Sequence, residues 1–117
     1  MSADDRDLYA GLVRLHVLHH ASKEPVYGLA MIEELGRHGY KMSPGTLYPI
    51  LHGLEKKGYL LSTLERAGKS GRRVYTITEA GDAALQGTKH KVRELFGELF
   101  EDDHPIKKVK RPGKSSK

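Results

Sequence analysis

The chain has no cysteine. It therefore carries no disulfide framework, no thiolate metal site and no cysteine nucleophile. Long hydrophobic runs are missing too, and none approaches the roughly 20 residues that span a bilayer. The opening residues, "MSADDRDLYAG", are acidic and polar, unlike a secretory leader. These absences predict a soluble, cytoplasmic protein. No nucleophile–base pair, glycine-rich phosphate loop or paired carboxylates stand in a pocket-like arrangement, so no enzyme is expected and no cofactor is assigned.

Acidic residues are scarce in one stretch. Residues 43–77 hold six basic and two acidic side chains, and residues 104–117 hold six basic and none acidic. Residues 1–42 and 78–103 each carry more acid than base. The net charge of +5 thus lies in the middle segment and the tail. A basic segment beside acidic ones suggests one surface that faces a polyanion.

Apolar spacing supplies the elements. Leu8, Leu12, Leu15 and Leu18 form a stripe with Val13 and Val17 beside it, predicting a first helix over residues 7–21. Pro25 stands near the start of a second helix with Leu29, Ile32 and Leu35 inward, and Gly28 allows close approach of a neighbour. Ser43 and Pro44 suit the N-cap and first position of a third helix. Its Leu47, Ile50, Leu51 and Leu54 face the core, and Gly58 stops it. Pro49 lies past the first turn, where it removes a hydrogen bond to the Gly45 carbonyl and predicts a local bend or an unpaired carbonyl.

The period then changes. "YLLSTLE" and "RRVYTIT" read as two strands around the glycine-containing tip "RAGKSG". Leu60 and Leu64 share one face of the first strand, and Tyr75 and Ile77 one face of the second. Thr78 can cap a final helix running to about Phe100. The remainder, "HPIKKVKRPGKSSK", reads as a disordered basic tail. The order α-α-α-β-β-α is mainly α with a small β-hairpin, the winged helix-turn-helix arrangement. The expected domains are a winged helix-turn-helix over 1–78, a C-terminal dimerisation helix over 79–101 and the tail over 102–117.

Three blocks then carry a resemblance. "SPGTLYPILHGLEKKGYL", the upstream "EPVYGLAMIEEL" and the downstream "RRVYTITEAGDAAL" are similar to the PadR-like transcriptional regulators, in the family's order. Together they cover roughly residues 12–85. The resemblance implies a homodimeric, DNA-binding transcription factor, usually a repressor, often released by a small-molecule effector. It also implies that the C-terminal helix supplies the dimer contacts. A single C-terminal helix followed by a tail resembles the family's short subfamily.

Opposite the core face, the third helix presents Gly45, Thr46, Tyr48, Pro49, His52 and Lys56. A major groove admits one helix, and residues near its N-terminus approach the bases. Thr46 suits a base or phosphate; Tyr48 either places its hydroxyl on phosphate or is a half-buried aromatic under the wing. Ser43 is a plain N-cap, a DNA contact or both. The tip adds Arg66, Lys69, Arg72 and Arg73, which suit phosphate or the minor groove; Arg73 begins the second strand and has a structural alternative. Leu8, Leu12 and Leu15, with Val92, Leu95, Phe96 and Leu99 on the last helix, exceed what one small core hides, which marks a partner surface; the alternative is that the stripes pack only within the monomer. A twofold dimer would read a palindromic operator with half-sites about 34–36 Å apart.

His16, His19 and His20 form an H-x-x-H-H group. His16 and His20 are one turn apart, a spacing that suits a metal, but surface histidines at this spacing are common and no metal is assigned. His38 and His52 read as isolated. The competing reading is a winged-helix module that binds an acidic protein partner rather than DNA.

Overall fold

The computed structural model describes residues 5–67 and 70–101. Seven elements follow in order: α1 (Arg6–Lys23), β1 (Val26–Tyr27), α2 (Gly28–Arg37), α3 (Pro44–Lys56), β2 (Leu60–Ala67), β3 (Ser70–Ile77) and α4 (Glu79–Glu101). The fold is mainly helical with a three-stranded antiparallel sheet in the order β1-β3-β2. The first compact unit ends at Leu85 and the second begins at Gln86, within α4.

One strand leaves no mark in the sequence pattern. Pro25 does not open α2; it precedes β1, whose Val26 and Tyr27 pair with Tyr75 and Val74 of β3. Two residues are too few to show a period. The inward face of α2 also differs from the expected one. Gly28, Met31 and Leu35 point inward, Ile32 lies partly buried beside them, and Leu29 is 68% exposed rather than inward.

The core is built from one stripe per helix and one face of the sheet. Helix α1 contributes Val13, Val17, Leu18 and Ala21, and α3 contributes Leu47, Leu51 and Leu54. Leu60 and Tyr75 close it from the sheet, and Leu85 from the start of α4. Leu15 is partly buried against this cluster, whereas Leu8 is 74% and Leu12 45% exposed. Leu64 shares the inward side of β2 by alternation with Leu60 but lies exposed, where β2 pairs Arg73.

Helices α2 and α3 end alike. The N–H of Tyr40 donates to the Leu35 carbonyl and that of Gly39 to Gly36; the N–H of Tyr59 donates to Leu54 and that of Gly58 to Glu55. These paired bonds are Schellman motifs, and they need a left-handed residue at the turn. Gly39 (φ +91°) and Gly58 (φ +87°) supply it. At the start of α4, the Gly81 N–H donates to Thr78 Oγ1 at 2.9 Å, the cap expected from sequence, and Thr78 Oγ1 donates in turn to the Gly58 carbonyl at 2.5 Å.

Candidate nucleic-acid interface

Helix α3 runs unbroken through Pro49. Ser43 takes the extended backbone of an N-cap, but its hydroxyl makes no capping bond. The first turn is closed by backbone alone, with the N–H groups of Thr46 and Leu47 both donating to the Ser43 carbonyl at 3.0 Å. Proline has no N–H, so the Gly45 carbonyl lacks its i+4 donor, and Gly45 is exposed where water reaches it. Gly45, Pro49, His52 and Lys56 are all exposed and recur at i, i+4, i+7 and i+11, one stripe along the helix. Thr46 is half-buried at the edge of that stripe.

Tyr48 is placed differently. It is half-buried, and a Cβ at Gly28 would collide with its hydroxyl and ring. The Tyr48 ring thus fills the space left by the missing side chain on α2, and holds α3 against α2. Its ring also lies 6.2 Å from that of His52.

The wing is braced near its tip. Glu65 pairs Arg72 across β2 and β3, with Arg72 Nε 3.6 Å from Glu65 Oε1. The Tyr27 hydroxyl donates to the same Glu65 oxygen at 2.7 Å, and the Arg72 guanidinium lies 3.9 Å above the Tyr27 ring. The hydrogen bond to Glu65 raises the Tyr27 phenol above its ordinary range. On the other face of β3, Arg73 donates to Ser62 Oγ at 3.2 Å, and Ser62 Oγ donates to Glu55 Oε2 of α3 at 2.8 Å. Arg73 therefore belongs to a chain that ties the wing to α3 and Arg72 to the Glu65–Tyr27 group; both are exposed, as is Arg66. Lys69 and the tail over 102–117 lie outside the described residues.

Along the second part of α4, Val92, Leu95, Phe96, Leu99 and Phe100 are exposed, Phe96 by 61%. The rings of Phe96 and Phe100 lie 4.6 Å apart. Among the described residues, no helix is long and apolar enough to cross a membrane.

A second grouping joins α1 to the end of α2. His16 and His20 stack at 6.2 Å, and His38 stands 4.6 Å from His16 and 6.2 Å from His20. His38, which reads as isolated in sequence, is thus brought into the H-x-x-H-H group by the α2–α3 turn. Tyr40 of that turn packs on His16 at 5.3 Å and on Tyr9 at 5.9 Å. Glu34 adds a carboxylate: Oε2 lies 3.5 Å from His20 Nε2 and 3.2 Å from His38 Nε2, while Arg37 donates to Oε1 at 2.6 Å. The Arg37 bond holds the Glu34 carboxyl below its ordinary value. Burial, then the neighbouring His38, His20 and His19, pulls His16 below 6.5. A cleft of about 320 Å³ opens beside Glu34, lined also by Glu24, Tyr27, Met31 and Arg37.

Comparison with known proteins fits this architecture. Residues 17–87 match the model of the transcriptional regulator PadR-like family. The chain is 47% identical over 95 residues to transcriptional regulator Rv3488 of Mycobacterium tuberculosis, covering 81% of this chain and 89% of that one. Among solved structures, a PadR family transcriptional regulator from Eggerthella lenta superposes with a TM-score of 0.68 at 31% identity, over 82% of this chain and 88% of the other. A PadR-like regulator from Bacillus cereus reaches 0.74 at 26% identity, over 81% and 94%. With three helices, a wing and the PadR-type sequence blocks in one order, the chain belongs to the PadR-like family of transcriptional regulators.

Proposed function

We propose that this regulator is a sequence-specific, homodimeric DNA-binding repressor. The observation that carries the reading is the exposed stripe of Gly45, Pro49, His52 and Lys56 on α3, on a helix whose opposite face packs on the core through Leu47, Leu51 and Leu54. The stripe is low at Gly45 and Pro49, before His52 and Lys56 project from it, so a groove can close on the backbone of the first turns. The exposed Arg66 on the wing supplies phosphate-binding charge, and the exposed Arg72 adds to it from its seat between Glu65 and the Tyr27 ring. Thr46 and the unengaged Ser43 hydroxyl are the polar groups nearest the bases, and Tyr48 serves by setting the angle of α3. Arg73 acts through the Ser62–Glu55 chain rather than as a free cation.

The exposed stripe of α4 supports a second copy of the chain as its occupant, because Val92, Leu95, Phe96 and Leu99 have aromatic and branched area that a lone helix leaves in water. Leu8 and Leu12 on α1 are available for the same purpose. The cleft beside Glu34 and Arg37 is large enough for a small effector.

Footprinting of the purified protein on genomic fragments tests the reading. A protected palindrome, with affinity falling steeply as salt rises from about 50 to 200 mM, is the expected result. Uniform, sequence-independent protection would refute sequence-specific repression, and retention by an acidic protein in place of DNA would favour the protein-binding module.

A further inference from the structure

We infer that His16, His20 and His38 form a binding site for a divalent transition metal, with Glu34 at its edge. Each histidine offers one ring nitrogen, and the three lie within 4.8 Å of one another. They come from two elements. His16 and His20 sit one turn apart on α1, and His38 is the C-cap residue of α2.

The cluster is held in place by its surroundings. The Schellman bonds around Gly39 fix the backbone at His38. Tyr40 packs on the His16 ring and brings the turn down onto α1. Nitrogens around a tetrahedral ion at about 2.0–2.1 Å sit about 3.3–3.4 Å apart, so the three, now within 4.8 Å of one another, need to close by at most about 1.5 Å. Glu34 Oε2, already beside His20 and His38, is placed to complete the set or to orient a bound water. Arg37 holds the other carboxylate oxygen, the kind of outer hydrogen bond that fixes metal-binding carboxylates.

The donor set selects the metal class. Imidazoles with one carboxylate and no thiolate suit Zn²⁺, Ni²⁺, Co²⁺ or Cu²⁺, whereas Mg²⁺ and Ca²⁺ require an oxygen cage. Two surface histidines on one helix would bind such ions weakly. The third, delivered from another element at the entrance to α3, turns a helical spacing into a site. A bound ion would tie α1 to the turn that leads into α3, a consequence for DNA that rests on the function proposed above.

The site itself is tested without DNA. The full chain, stripped with a chelator, is titrated with Co²⁺ and the visible d–d bands of a tetrahedral ion are followed, with Zn²⁺ as competitor. One Co²⁺ per chain is expected, displaced by Zn²⁺. His38→Gln and His16→Gln should each weaken binding by at least about tenfold, and His90→Gln, on α4, should leave it unchanged. His38 is exposed, so His38→Gln should fold, as metal-free circular dichroism would verify; it decides the matter even where His16→Gln does not fold. Wild-type affinity in His38→Gln, an equal loss in His90→Gln, or no tetrahedral spectrum would overturn the site.

Discussion

The ring of Tyr48 on α3 occupies the space where a side chain at Gly28 on α2 would be. The angle between the two helices of the helix-turn-helix is therefore set by an absent methyl group and a rigid aromatic. Helix propensity alone would favour alanine at position 28 by up to about 1 kcal/mol. Overpacking should win, because a planar ring cannot fold away. We expect Gly28→Ala to lower stability by about 1–3 kcal/mol, with most of that loss gone in a Tyr48→Ala background. Thermal denaturation of the four proteins gives the coupling; additive effects would show that the two residues do not touch.

Gly81 and Gly87 make a contrast on one helix. A Cβ at Gly81 would meet the Tyr59 carbonyl and Ile77, whereas nothing lies within 4 Å of one at Gly87. A backbone carbonyl held by Thr78 N–H cannot yield easily. Gly81→Ala should destabilise by about 1–3 kcal/mol, and Gly87→Ala should stabilise by about 0.5–1 kcal/mol. Urea unfolding measures both, and the same sign for the two would contradict the packing described.

The Tyr75 hydroxyl is buried and makes no hydrogen bond to a described residue. Burial, with Glu55 nearby, pushes its phenol above 10.0. A raised folded value means stability is complete below about pH 10 and falls as pH rises through the folded value, because the unfolded chain releases its proton first. Tyr75→Phe should leave stability at neutral pH unchanged or higher by up to about 1 kcal/mol, and should soften the alkaline loss. A destabilisation above about 1 kcal/mol in chemical denaturation would mean the hydroxyl has a partner.

The wing arginines should separate in a salt titration of DNA binding. Lys56→Ala with Arg66→Ala removes two exposed cations, and each cation that neutralises a phosphate should account for about 1 unit of the salt slope. Arg73→Ala should change the slope less and lower thermal stability, since Arg73 is engaged with Ser62. Equal slope changes for Arg73 and Arg66 would place Arg73 on the DNA.

Much of the fold is legible in the sequence because its signals are periodic or chemical. The i, i+3, i+4, i+7 spacing of Leu47, Ile50, Leu51 and Leu54 marks the inner face of α3, and Gly58 and Thr78 mark element ends by their chemistry alone. The strand β1 is illegible at two residues long. Leu29 misleads because Leu29, Ile32 and Leu35 form a stripe at helical spacing as good as that of Gly28, Met31 and Leu35, and Gly28 carries no apolar side chain to mark the second. The candidate site divides the same way: the exposed stripe of α3 follows from its core stripe, whereas the seating of Tyr48 on Gly28 needs two helices at once. His38 and Glu34 join His16 and His20 only through a turn whose path no local spacing records.

The two Schellman endings bracket α3 between Gly39 and Gly58, and Leu47, Leu51 and Leu54 seat it on the core. The outward positions Gly45, Pro49, His52 and Lys56 can thus be exchanged as a cassette, leaving the frame that presents them intact. On the function proposed above, such a scaffold would separate what it reads from how it folds, and a new target would ask for a handful of surface substitutions and no repacking.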